Sequence, residues 1–95
     1  MIRLFVRHQV QDYAAWRKVY NKFDAQRKPM GVTSHAVFQS VDDPNDVTAW
    51  HDFANIRKAK AFVSSEALRD AMREAGVKGQ PEIWFVRVRS APIKK

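Results

Sequence analysis

Three observations predict an α+β chain in the order β-α-β-β-α-β. Hydrophobic residues alternate with period two near each end and twice in the middle of the chain. Two intervening stretches carry helical spacing instead. Turn-forming residues mark most of the joins, with Asp42-Asp43-Pro44-Asn45-Asp46 the strongest such signal.

The first strand places Ile2, Leu4, Val6, His8 and Val10 on one parity and Arg3, Phe5, Arg7 and Gln9 on the other. The more apolar set should face the helices. Asp12 is suited to cap a helix whose stripe is Tyr13, Trp16, Val19, Tyr20 and Phe23. Pro29 and Gly31 end that helix or its trailing turn. Strand two is expected over about Val32 to Val41 and strand three over about Val47 to Ala54, joined as a hairpin. Asn55 can cap the second helix, where Ala59, Phe62 and Val63 point inward. Ser64-Ser65 predicts either a kink or a fresh cap before Leu68, Ala71, Met72 and Ala75. Gly76 suits a left-handed helix end, and Pro81 is expected just ahead of the last strand, Glu82 to Arg89.

A right-handed crossover between strands one and two leaves room for strand three between them. The result is a four-stranded antiparallel sheet of order 4-1-3-2, with both helices on one face. No linker, repeat or low-complexity run divides residues 1–95, so one domain is expected.

Composition bounds the function. With 95 residues, 45% hydrophobic and 12% aromatic, the chain can bury one modest core. The absence of cysteine excludes disulfides, thiolate nucleophiles and zinc–thiolate sites. No apolar run approaches the roughly 20 residues a membrane span needs. Arginines interrupt the apolar N-terminus, unlike a signal peptide, so a soluble cytoplasmic protein is expected. The net charge of +7 is spread over both helical regions and the Lys94-Lys95 end. Such a distribution suits solvated helix faces and the attraction of a small anion better than a nucleic-acid groove.

Two places could carry function. On the sheet face turned away from the helices, Phe5, Arg7 and Trp50 lie near one another with no third layer to cover them. So much aromatic surface on a small domain predicts a homodimer interface. An RNA-recognition surface uses the same layout. Leu4-Phe5-Val6 matches its strand-one pattern weakly, and strand three lacks the basic-glycine-aromatic signature, so nucleic acid is not the expected partner. Between sheet and helices, His8 and His51 point inward among Trp16, Tyr20, Phe62 and Met72. There the histidines are either hydrogen-bonded core residues or the polar border of a small ligand cavity. His35 falls on the other parity of strand two or near the dimer seam, and is given no role. No converging metal ligands, serine-centred motif or glycine-rich phosphate loop is present, so no metal or cofactor is expected.

The chain resembles the dimeric α+β barrel superfamily, near the antibiotic biosynthesis monooxygenase-like proteins. The resemblance rests on the element order, on Val6-Arg7-His8-Gln9-Val10 with Asp12-Tyr13-x-x-Trp16, and on Ala61-Phe62-x-x-Ser65-x-x-Leu68-x-x-Ala71-Met72. It implies two ferredoxin-like protomers closing their sheets into a barrel. It also implies a pocket in each protomer, between sheet and helices, for an aromatic or polycyclic small molecule. Heme-degrading members use an asparagine, a tryptophan and a histidine where this chain has His8, Phe62 and Met72, so heme chemistry does not carry over.

The resulting expectation is a monooxygenase- or cyclase-type enzyme acting without metal or heme, with His8 as base or orienting donor. In it, His51, Trp16, Tyr20, Phe62 and Met72 hold the ligand. The alternative is a non-catalytic ligand-binding or stress-associated homodimer.

Overall fold

The computed structural model describes residues 1–90, and Lys94 and Lys95 lie outside the described residues. The elements are β1 (Ile2–Val10), α1 (Tyr13–Lys22), α2 (Asp24–Arg27), β2 (Val32–Gln39), β3 (Asp46–Phe53), α3 (Ile56–Ser64), α4 (Glu66–Glu74) and β4 (Val77–Arg87). The sheet order is β2-β3-β1-β4 with every neighbouring pair antiparallel, the topology expected from the sequence. The helices cover one face. On that side Leu4, Phe53 and Phe62 are fully buried, with Phe62 packed against Phe23 and Phe53.

Local chemistry sets the helix ends. Asp12 Oδ2 accepts from the Ala15 N–H at 2.9 Å and starts α1. Asn55 Oδ1 accepts from the Lys58 N–H at 3.0 Å and starts α3. Of the two outcomes open at Ser64-Ser65, the structure takes the fresh cap. The Ser65 hydroxyl donates to the Phe62 carbonyl at 2.8 Å and accepts from the Leu68 N–H at 3.1 Å. One side chain therefore closes α3 and opens α4. Gly76, at φ +80°, takes the left-handed conformation after α4.

Two bulges depart from simple alternation. β4 begins at Val77, not Glu82, and Pro81 lies within it. Lys78 faces Gln9 while Glu82 faces Arg7, so β4 spends four residues where β1 spends two. Gly79, at φ +68°, absorbs the excursion. Proline is tolerated because β4 is an edge strand and its pairing is already broken there. The second bulge lies at the start of β2. Val32 faces Phe53 and Ser34 faces Asp52, leaving Thr33 as an extra residue. That insertion reverses the parity of everything after it. His35 therefore faces His51, on the helix side, contrary to the expectation from uninterrupted alternation.

The opposite face of the sheet is open. Ala36, Trp50, Phe5 and Trp84 form one row across all four strands. Phe5 and Trp84 stack at 5.1 Å with nearly parallel rings, and Arg3 lies over the Trp50 ring at 3.7 Å. Phe38, Trp84 and Val86 remain exposed. Beside this row, Arg3 forks onto buried Asp52 at 2.8 and 3.0 Å, and Ser34 donates to the same carboxylate. Burial pushes the Asp52 carboxyl up, but the bonds from Arg3 and Ser34 outweigh it and hold it below its ordinary range.

Ser65→Ala removes the shared cap of α3 and α4. It is expected to cost about 1 kcal/mol, read as a lower urea midpoint with unchanged slope.

Candidate ligand cavity

A cavity of about 50 Å³ lies between the sheet and the helices. The six residues expected to border it do so: His8, Trp16, Tyr20, His51, Phe62 and Met72 all line it. Four elements supply its aromatic walls. β1 and β3 present His8 and His51 inward, α1 presents Trp16 and Tyr20 one turn apart, and α3 presents Phe62. Trp16 and Tyr20 stack at 4.8 Å, His8 meets Trp16 edge-on at 5.7 Å, and His51 packs on Phe62 at 5.1 Å.

The sequence analysis missed Arg27. Its position in a run of basic residues suggested a solvated face, yet it is among the most buried residues, 3% exposed. Its Nε–H donates to His51 Nε2 at 3.0 Å and its Nη1 to the Tyr20 carbonyl at 2.8 Å. The guanidinium lies 3.7 Å from the centre of the Tyr20 ring. The nearest carboxylate is that of the exposed Asp24, 3.6 Å from Nη1. A cation is thus set into the cavity wall, held by a ring, a carbonyl and an imidazole.

This contact assigns a proton. Arginine has donors only, so His51 Nε2 must be the bare acceptor and the ring proton sits on Nδ1. His51 Nδ1 is buried without a hydrogen-bond partner, and so are both nitrogens of His8. Burial, the Arg27 charge and His35 hold the His51 pKa down to about 3. Burial alone brings His8 to about 4. Both rings are therefore neutral near pH 7. Together they offer two N–H donors and one bare nitrogen acceptor among apolar side chains. Buried polar atoms without partners carry a desolvation cost that a bound molecule or water can relieve.

His35, given no role beforehand, closes one end of this group. It stacks on His51 at 5.6 Å, and Tyr20 Oη lies 2.7 Å from its Nδ1. Its Nε2 meets Asp24 Oδ1 at 3.1 Å, so in the neutral ring Nε2 donates to the carboxylate and Nδ1 accepts from Tyr20. Phe5, Arg7 and Trp50 lie on the other side of the sheet. Arg7 there forks onto Asp46 at 3.0 and 2.7 Å.

The cavity has room for only a few waters as it stands, so a ring system enters only if a wall moves. Of the helices lining it, α4 is the least buried. None of its residues is buried, and it reaches the cavity through the adaptable side chains of Leu68 and Met72.

No family model matches this sequence, and no curated protein does. Its structure does match solved ones. SnoaB, a cofactor-independent oxygenase from Streptomyces nogalater, superposes with a TM-score of 0.77 at 13% identity, over 95% of this chain and 94% of that one. A Bordetella bronchiseptica protein assigned to antibiotic biosynthesis monooxygenase gives 0.81 at 14% identity, over 94% and 97%. One from Deinococcus radiodurans, with the same assignment, gives 0.75 at 13%, over 100% and 99%. This chain has the antibiotic biosynthesis monooxygenase-like fold. Within that ferredoxin-like α+β fold, the cavity sits between the sheet and its helical layer.

Between pH 6.5 and about 4, an unfolded chain takes up protons that folded His8 and His51 refuse. Stability from this source is complete above pH 6.5 and is lost as the pH falls through that window. The slope is up to about 1.4 kcal/mol per pH unit for each ring. Urea unfolding at stepped pH is expected to show this loss, with a shallower slope in His8→Asn. A flat profile from pH 7 to 4.5 would contradict neutral burial of both rings.

Proposed function

We propose that the chain is a single-domain, homodimeric small-molecule enzyme. It oxygenates an aromatic quinol-type substrate in the cavity, and needs no electrons beyond the substrate's own. One observation carries this reading: His8 and His51, with three unpartnered imidazole nitrogens between them, line an aromatic-walled cavity together with buried Arg27. The fold shared with SnoaB, a cofactor-independent oxygenase, supports it.

The reaction balances as quinol plus O₂ giving hydroxyquinone plus water. Its first requirement is removal of a substrate proton, so that the electron-rich anion can reduce O₂. His8 would take that proton. With a pKa of about 4 the empty-cavity imidazole is a weak base. The transfer becomes feasible because the anion it creates stays beside the new imidazolium, in surroundings where opposite charges attract strongly. Arg27, fixed in the same wall, stabilises that anion without having to reorganise. His51 Nδ1–H would hold a substrate oxygen, and Trp16, Tyr20, Phe62 and Met72 would sandwich the ring. The His8 imidazolium would return its proton to the peroxide formed from O₂, and loss of water from that hydroperoxide would leave the hydroxyquinone.

The dimer follows from the open face of the sheet. Phe38, Trp84 and Val86 are exposed beside the stacked Phe5–Trp84 pair. A second copy laid on this face would bury them. Arg3 and Arg7 are already spent on Asp52 and Asp46, which leaves this face little free charge for RNA phosphates. The small volume favours one second reading, a non-catalytic ligand-binding dimer.

Incubation with 1,4-dihydroxynaphthalene under ¹⁸O₂ is expected to yield hydroxyquinone carrying one labelled oxygen. His8→Ala should slow this by about a hundredfold or more, within the range general-base catalysis spans. Undiminished turnover in the variant would remove His8 from the role of base. Tight ligand binding with no labelled product would favour the non-catalytic reading.

Sedimentation at micromolar concentration is expected to show a dimer, and Trp84→Arg should shift it to a folded monomer. A monomeric wild type would contradict the closure of the open face by a second copy.

A further inference from the structure

A second, more open groove of about 590 Å³ adjoins the cavity and shares Arg27 with it. It is formed by α2, the turn into β2 and the first turn of α3. Its charged lining is Arg27, Lys28 and Lys58 against the single carboxylate of Asp24. That carboxylate is already engaged by His35 at 3.1 Å and Arg27 at 3.6 Å. Among the described residues neither Lys28 nor Lys58 has a carboxylate within ion-pair distance. Their placement is built into the backbone. Gly31 takes φ +98°, and a Cβ there would come within 3.1 Å of the Lys58 stem, so glycine lets that lysine lie across the turn. The outcome is a cationic trough at the rim of an apolar, aromatic cavity. The chain's overall charge of +7 would draw anions toward it.

Resting on the reading of the cavity as an aromatic-ligand site, we propose that the natural ligand carries an anionic arm. Its ring occupies the inner cavity, and a carboxylate or phosphate extends past Arg27 to Lys28 and Lys58. The geometry makes these lysines specificity residues. They select an aromatic acid over its neutral analogue and take no part in proton transfer. Arg27 lines both the cavity and the groove and so joins the two halves. A neutral polycycle would leave the groove cations without a partner and gain nothing from them.

Calorimetry with 1-naphthaleneacetate and its neutral isostere 1-naphthaleneacetamide separates the two claims. The acid is expected to bind at least about tenfold more tightly, with an affinity that falls as salt rises. In Lys28→Glu/Lys58→Glu, two exposed positions where folding is not at stake, the preference should shrink below about threefold through loss of acid binding alone. Comparison with 1-naphthyl phosphate identifies the arm: tighter binding than the acid marks a phosphate site, weaker binding a carboxylate site. Equal affinity of acid and amide, or an unchanged preference in the double variant, would overturn the anionic arm while leaving the aromatic cavity standing. Failure of all three probes to bind at millimolar concentration would overturn both.

Discussion

The site depends on one buried interaction, the donation from Arg27 to His51. An arginine taken out of water must have its donors satisfied, and this one uses an imidazole, a backbone carbonyl and an aromatic face in place of a buried carboxylate. The arrangement has three consequences. It ties α2 to β3, so the segment after α1 is anchored to the sheet. It fixes the proton of His51 on the nitrogen that has no partner. It also leaves the positive charge without a buried counter-ion: among the described residues its ion-pair partner is the carboxylate of exposed Asp24, at 3.6 Å. A buried acid in that place would have made a neutral pair and an electrostatically silent cavity.

Around that contact the protein divides its two sheet faces by chemistry. On the helix side, polar atoms are few and several lack partners. On the open side, the charges of the central strands are paired, Arg3 with buried Asp52 and the exposed Arg7 with Asp46. Matched ion pairs and stacked rings suit the proposed contact with a second copy, which would then cover the face without stranding charge. Unmatched nitrogens suit a place where a small molecule must enter. α4, none of whose residues is buried, lies over the second kind of surface.

Much of the fold was legible because its signals are local and periodic. Alternation in Ile2-Leu4-Val6, the Trp16–Tyr20 stripe and the capping residues Asp12, Asn55 and Ser65 each act within a few residues. The inward placement of His8 and His51 followed from strand parity and needed nothing more. His35 was misread because parity is a running count, and a bulge at Thr33 resets it without any glycine or proline to announce the change. The start of β4 was misread for the opposite reason. Pro81 is a strong stop signal, and only its place on an edge strand, beside Gly79, lets the strand run through it. Arg27 was not legible at all. Its burial depends on a histidine 24 residues away in sequence and on a carbonyl, and no local pattern separates it from the lysines and arginines around it. Trp84 was overlooked because its partner Phe5 lies on a strand paired only through long-range topology.

The account stands on the claim that the layer between sheet and helices receives a ligand whose polar groups satisfy His8 and His51. A crystal structure with 1,4-dihydroxynaphthalene bound tests this most directly. The account predicts the ring between Trp16 and Phe62, α4 displaced outward, and substrate oxygens within hydrogen-bond reach of His8 and of His51 Nδ1. A ligand found only on the open sheet face, with the cavity side chains unmoved, would contradict it.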